Sequence, residues 1–262
     1  LVEVLGEDVL GVAVLVDGGE LGEHRFAHAQ RTPPHATDNA TIVAVASMDD
    51  RLLTSPAAAL ISLVINAEAE VPVVAIDADG LNQPLRGPLR AGNGGDLVGL
   101  SDHPKESLDR SEIELFVDQE GAMPLLACWK EGPGLIPPEV LESAVRRVQH
   151  RWPTVVMNLP YTCPPETISS GVAMANHVFL IADRHHAGHE WLYQPGHQLS
   201  TLARDNRVTV LTLGGQSKIT TPDTIHLPRT GQGSDGRDPI DIPTDPESLT
   251  IFHRILSRVY KS

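Results

Sequence analysis

Aromatic side chains are scarce in this sequence, with three Trp, three Tyr and four Phe among 262 residues. A core has to come from Val, Ile, Leu and Ala, the composition of parallel strands buried under helices. Cysteine is rarer still. Cys128 and Cys163 make neither a metal-like pair nor a disulfide framework, and a reducing cytoplasm is the expected location. Basic residues are outnumbered, 20 Lys and Arg against 34 Asp and Glu, for a formal charge of −14. Such a surface repels nucleic-acid phosphate, so direct nucleic-acid binding is not expected. The longest basic cluster, Arg146, Arg147, His150 and Arg151, reads as a solvated helix face. No apolar run reaches the length of a membrane span, and no basic leader opens the chain. The first residue is Leu1 rather than Met, and a longer parent protein carrying an anchor or another domain stays open.

What the chain does have is alternation. Apolar strand-like runs occupy Thr41 to Ala46, Val71 to Ile76, Met123 to Ala127, Thr154 to Leu159, His177 to Ala182 and Val208 to Leu213. Helix-like runs lie near Ser55 to Glu68, Pro138 to Gln149, Glu166 to Ala175, Gln198 to Asp205 and Leu249 to Val259. This order predicts an α/β fold, a mostly parallel sheet with helices on both faces. Residues 1–38 read as an N-terminal extension in which Val9 to Val16 and His24 to His28 flank a turn signal, compatible with an edge hairpin. Residues 39–262 form the α/β domain. Leu81 to His103 is rich in Gly, Pro and Asn and is expected to be a mobile loop over the carboxyl ends of the strands. Thr220 to Pro246 reads as irregular, and Asp109 to Glu114 with Asp118 to Glu120 read as solvated faces.

The first strand runs into Met48-Asp49-Asp50-Arg51-Leu52-Leu53-Thr54-Ser55, then a helix, then a second strand ending Asp77-Ala78-Asp79. A phosphate-binding loop needs Gly so that backbone N–H groups converge on the oxyanion, and a Lys for point charge. This loop has neither Gly nor Lys, and it carries Asp49 and Asp50. One like-charge pair at 4 Å costs about 1 kcal/mol in water and about 4 at an effective dielectric of 20. Thr54 or Ser55 ahead of Pro56 suits a hydroxyl N-cap with Pro in the first turn.

The order and spacing of these pieces resemble the ParA/MinD (SIMIBI-class) P-loop ATPase family, as a degenerate member. In the alignment the family's early Lys falls at Asp49, its glycines at Asp50, Arg51 and Leu53, its main Lys at Thr54 and its magnesium-binding hydroxyl at Ser55. Asp77 and Asp79 match the family's Asp-x-Asp. Val155-Val156-Met157-Asn158-Leu159-Pro160 resembles its switch strand, with Asn158 where the family has Asp. The resemblance spans roughly residues 40 to 230. It implies a vestigial nucleotide site at Asp49, Asp50, Thr54, Ser55, Asp77, Asp79 and Asn158, no catalytic residues and no cofactor. By the same resemblance the protein is a catalytically inactive scaffold or adaptor for protein partners in positioning, pilus or flagellar, secretion or partition machinery. It is expected to be cytoplasmic, with recruitment to a membrane complex left open, and a monomer or a nucleotide-independent dimer. The alternative is a weak ATPase with a non-standard P-loop that binds ATP and Mg2+.

His185, His186, His189 and Glu190 are the candidate metal ligands. His186 and Glu190 are four apart, but Gly188 weakens a helix there and the zinc-peptidase spacing is absent, so a solvated His-rich loop is expected.

Overall fold

The computed structural model describes residues 40–47, 54–68, 71–104, 109–182, 192–194, 196, 199–213, 224–228 and 238–260. The expected N-terminal hairpin within residues 1–38 lies outside them.

Seven strands form one sheet: β1 (Thr41–Ser47), β2 (Val73–Asp77), β3 (Leu125–Leu126), β4 (Thr154–Leu159), β5 (His177–Ile181), β6 (Val208–Leu213) and β7 (Thr224–Leu227). Their order is β3-β2-β4-β1-β5-β6-β7, and every ladder is parallel. The centre is the run Val43 to Ala46, paired with Val156 to Leu159 on one side and His177 to Leu180 on the other. These strands are apolar at nearly every position because both faces are covered.

Strand alternation divides the core. Ile42, Ala44 and Ala46 point to one face, with Leu141, Ala144, Val145 and Val148 of α4 (Pro138–Val148). Val43 and Val45 point to the other face, against α1 (Ser55–Glu68) and α7 (Pro246–Val259). The first face also takes α2 (Leu97–Asp102), α3 (Arg110–Glu114), α5 (Pro165–Met174) and α6 (Ser200–Arg204). Helix starts follow local chemistry. Proline opens α4 and α5, where a missing N–H costs nothing. Asp245 caps α7 by accepting from Ser248 N at 2.9 Å, which starts that helix at Pro246 rather than at the expected Leu249.

Two expectations need correction. Leu81 to His103 is not an open loop. Leu85 and Leu89 are fully buried on the α1 face, Leu97 and Leu100 are fully buried on the opposite face, and α2 forms within the segment. Its Gly and Pro residues shape turns, while four leucines supply the burial that fixes them. Asp118 is not solvated either: it is 3% exposed and sits 3.6 Å from Arg86 Nη1. Asp109, by contrast, is the exposed cap of α3, with a capping box to Glu112. Strand β7 adds regular structure to the stretch expected to be irregular, with only four residues among turn-forming ones.

Gly80 shows how tightly the 80–95 segment is seated. A Cβ there would lie 2.2 Å from Gly134 O and 2.7 Å from Cys128 Sγ. Gly80→Ala is expected to lower stability by about 1–3 kcal/mol through overpacking. Chemical denaturation should show a lower midpoint with an unchanged slope.

Candidate functional site

In a parallel sheet the carboxyl ends of all strands share one edge, where α/β folds place their ligand sites. At that edge Asp77, the last residue of β2, lies opposite Asn158 of β4 in the ladder. The pairing puts both side chains on the face that α1 covers. Asp77 is fully buried. Its Oδ1 accepts from Asn158 Nδ2 at 3.1 Å and from Asp79 N at 3.2 Å, and its Oδ2 accepts from Leu85 N at 2.8 Å. Burial raises the Asp77 pKa to about 7, against the lowering effect of those three donors.

Asp79 lies two residues on and is 4% exposed. Its Oδ1 accepts from Leu81 N at 3.1 Å and Asn82 N at 2.9 Å, and its Oδ2 from Asn82 Nδ2 at 2.9 Å and Thr162 Oγ1 at 2.5 Å. The two carboxylates therefore hold backbone. Asp77 fixes residue 85, and Asp79 fixes residues 81 and 82 together with the loop after β4. Nearby, Cys163 is buried and its thiol is pushed up, first by burial and then by Asp79 and Asp77.

Asn158 is fully buried. Its side-chain Nδ2 is used on Asp77, while Oδ1 has no hydrogen-bond partner among the described residues. Thr54 is 1% exposed, and its hydroxyl also lacks a partner there. The expected side-chain N-cap at Thr54 is thus not made; Thr54 instead opens α1 through its carbonyl, which accepts from Ala58 N at 2.8 Å. Ser55, buried at 5% exposure, is the first residue of that helix.

Sequence reasoning missed Arg86. It donates from Nε to Gln83 Oε1 at 2.5 Å, from Nη1 to Gly92 O at 2.7 Å and Gly94 O at 3.0 Å, and from Nη2 to Cys128 O at 2.7 Å. One guanidinium therefore closes the 80–95 segment onto the end of β3. Burial lowers its pKa, with Asp118 and then Asp77 acting the other way. A single Arg in a Gly- and Pro-rich run carries no sequence signal for this. Asp49, Asp50, His185, His186, His189 and Glu190 lie outside the described residues. Among the described residues no group of three or more His, Cys, Asp or Glu could hold a metal ion, and no helix is long and apolar enough to cross a membrane.

Comparison with known proteins now places the fold. No protein-family model matches the sequence, and no curated protein matches it. Solved structures do match. The MinC:MinD cell division protein complex of Aquifex aeolicus is 13% identical, over 83% of this chain and 94% of that one, with a TM-score of 0.56. Cobyrinic acid a,c-diamide synthase from Mycobacterium smegmatis, with bound ATP analog and magnesium, is 15% identical over 85% and 96%, with a TM-score of 0.53. A ParA family ATPase from Chlorobium tepidum TLS is 17% identical over 85% and 94%, with a TM-score of 0.50. The chain has the ParA/MinD P-loop ATPase fold.

An ATP–magnesium pair is the group this fold implies, and at the edge the described residues would meet it with Asp77 and Asn158. Divalent magnesium seeks carboxylate and phosphate oxygens. Here Asp77 faces inward onto three N–H donors, and its ladder partner is a neutral amide.

The raised Asp77 pKa has a definite sign. Between the ordinary carboxylate value of 3.8 and about 7 the folded chain keeps a proton that the unfolded chain has lost. This contribution is full at the acid end of the window and is lost as pH rises through about 7. Wild type should therefore lose a few kcal/mol across that window relative to Asp77→Asn. Denaturation at a series of pH values checks this; parallel pH profiles for the two proteins would refute it.

Proposed function

We propose that this protein is a non-hydrolysing member of the ParA/MinD fold group, working as an adaptor for protein partners rather than as an ATP switch. One observation carries the reading: the buried Asp77 carboxylate is engaged by Asn158 Nδ2 and Leu85 N. A switch needs a carboxylate that can turn to a metal and release it. This one holds the 80–95 segment, and turning it would leave three N–H groups unpaired in the core. Each such loss costs about 1–3 kcal/mol. The sequence of the first loop agrees, since Asp49 and Asp50 stand where phosphate charge would lie and no Lys offsets them. The partner is a protein on this reading, because an acidic chain with a net charge of −14 disfavours nucleic acid.

Magnesium-ATP titration tests the proposal. A ligand that binds only the folded state must raise its melting temperature. The expected result is no saturable rise with micromolar to millimolar magnesium-ATP and no released phosphate. A saturable rise with turnover would establish the weak ATPase instead. A companion variant probes the carrying contact. Asn158→Asp sets a second carboxylate against Asp77 and should destabilise the fold by about 1–3 kcal/mol without creating hydrolysis. A gain of ATPase activity in that variant would contradict the proposal.

A further inference from the structure

Of the asparagines in this chain, only Asn93 is followed by glycine. It sits in Gly92-Asn93-Gly94-Gly95, outside any helix or strand, and both Asn93 and Gly94 are exposed. Among the described residues no hydrogen bond occupies the Gly94 N–H. Lys130, on the loop after β3, donates from Nζ to Asn93 Oδ1 at 2.6 Å. An ammonium only donates, so the amide oxygen is the atom that faces it.

These groups are the parts of an intramolecular reaction. A backbone nitrogen is a nucleophile for the side-chain carbonyl carbon of the asparagine before it, and Gly94 has no side chain to hinder the approach. Holding both groups in one chain removes the entropy cost of their encounter. As Gly94 N bonds to Asn93 Cγ, negative charge builds on Oδ1, where the Lys130 ammonium already stands. Other asparagines lack this set. Asn82 precedes Gln83 and donates from Nδ2 to Asp79 at 2.9 Å, and Asn158 is fully buried with Nδ2 on Asp77.

We propose that Asn93 is a self-modification site, at which Gly94 N displaces ammonia from the side-chain amide while Lys130 holds the carbonyl oxygen. The Gly94 N–Cγ bond forms and the Cγ–Nδ2 bond breaks. The proton lost by Gly94 N passes through water to the departing ammonia, leaving a cyclic imide. Water then opens the imide on either side, giving aspartate or isoaspartate at residue 93, with no oxidant or reductant involved.

The fold gives the two products different consequences. Gly92 O and Gly94 O flank the site and accept from Arg86 Nη1 at 2.7 and 3.0 Å. Aspartate keeps this backbone and sets a carboxylate opposite Lys130. Isoaspartate routes the chain through the side-chain carbon and lengthens it by one methylene between those two carbonyls. Arg86 then loses one of the two acceptors, and the segment it closes onto β3 is loosened. This site stands independently of the reading of the Asp77 edge.

Ageing of the folded protein at neutral pH, followed by peptide mass spectrometry, tests this. Asn93 should gain one dalton and appear as two products, while Asn82 stays unchanged. Lys130→Met should slow the conversion about tenfold, less than a buried oxyanion donor would give because this one is exposed. Lys130→Arg should restore part of the rate. Gly94→Ala, whose Cβ would meet nothing nearer than Asp118 Oδ2 at 3.4 Å, should keep the fold and also slow the reaction. In urea, where Lys130 no longer reaches Asn93, wild type and Lys130→Met should convert at equal rates. The isoaspartate form, separated chromatographically, should melt below Asn93→Asp. Equal rates in folded wild type and Lys130→Met, or no conversion at Asn93, would overturn the site. An isoaspartate form that melts with Asn93→Asp would overturn its link to Arg86.

Discussion

A carboxylate in the core is expensive unless donors surround it, and Asp77 is the point where this chain meets that cost. Its two oxygens take three N–H groups, from β2's own continuation, from β4 and from residue 85. These bonds join two neighbouring strands at their carboxyl ends and tie the long β2–β3 connection back over them. Asp79 and Arg86 extend the same fastening, to Thr162 and to the end of β3. Much of what distinguishes this edge follows from one acidic group facing inward. The raised pKa is the electrostatic trace of the same burial.

That fastening sits at the carboxyl-terminal edge of a sheet with the ParA/MinD fold. The sheet order and the helices on both faces are kept, while the polar groups of the edge serve the chain's own backbone. Asn158 is central to this arrangement. An Asp at this ladder position would face Asp77 across one strand spacing, and like charges directly opposite are unfavourable. The amide turns that clash into a hydrogen bond.

The fold was legible because burial on both faces writes itself into strand composition. Thr154–Leu159 and Val208–Leu213 lie where their apolar runs predicted, as does the helix Ser55–Glu68. Legibility failed where tertiary contacts overrode local chemistry. Glycines and prolines made the stretch from Leu81 to His103 look open, yet Leu85, Leu89, Leu97 and Leu100 anchor it to both faces. Asp118 and Arg147 read as surface charges because nothing nearby in sequence announces their burial. At the site, Asp77, Asp79 and Asn158 are named through the resemblance to the ParA/MinD family, and the ladder brings Asp77 and Asn158 together. Their direction could not be named, because it depends on the backbone N–H of Leu85, a group that every non-proline residue carries.

The orientation of Asp77 can be measured directly. A high-resolution crystal structure grown with magnesium and a non-hydrolysable ATP analogue would show where its carboxylate points. The account predicts Asp77 still bonded to Leu85 N and Asn158 Nδ2, with no metal beside it. A magnesium ion held between Ser55, Asp77 and the nucleotide phosphates would contradict it.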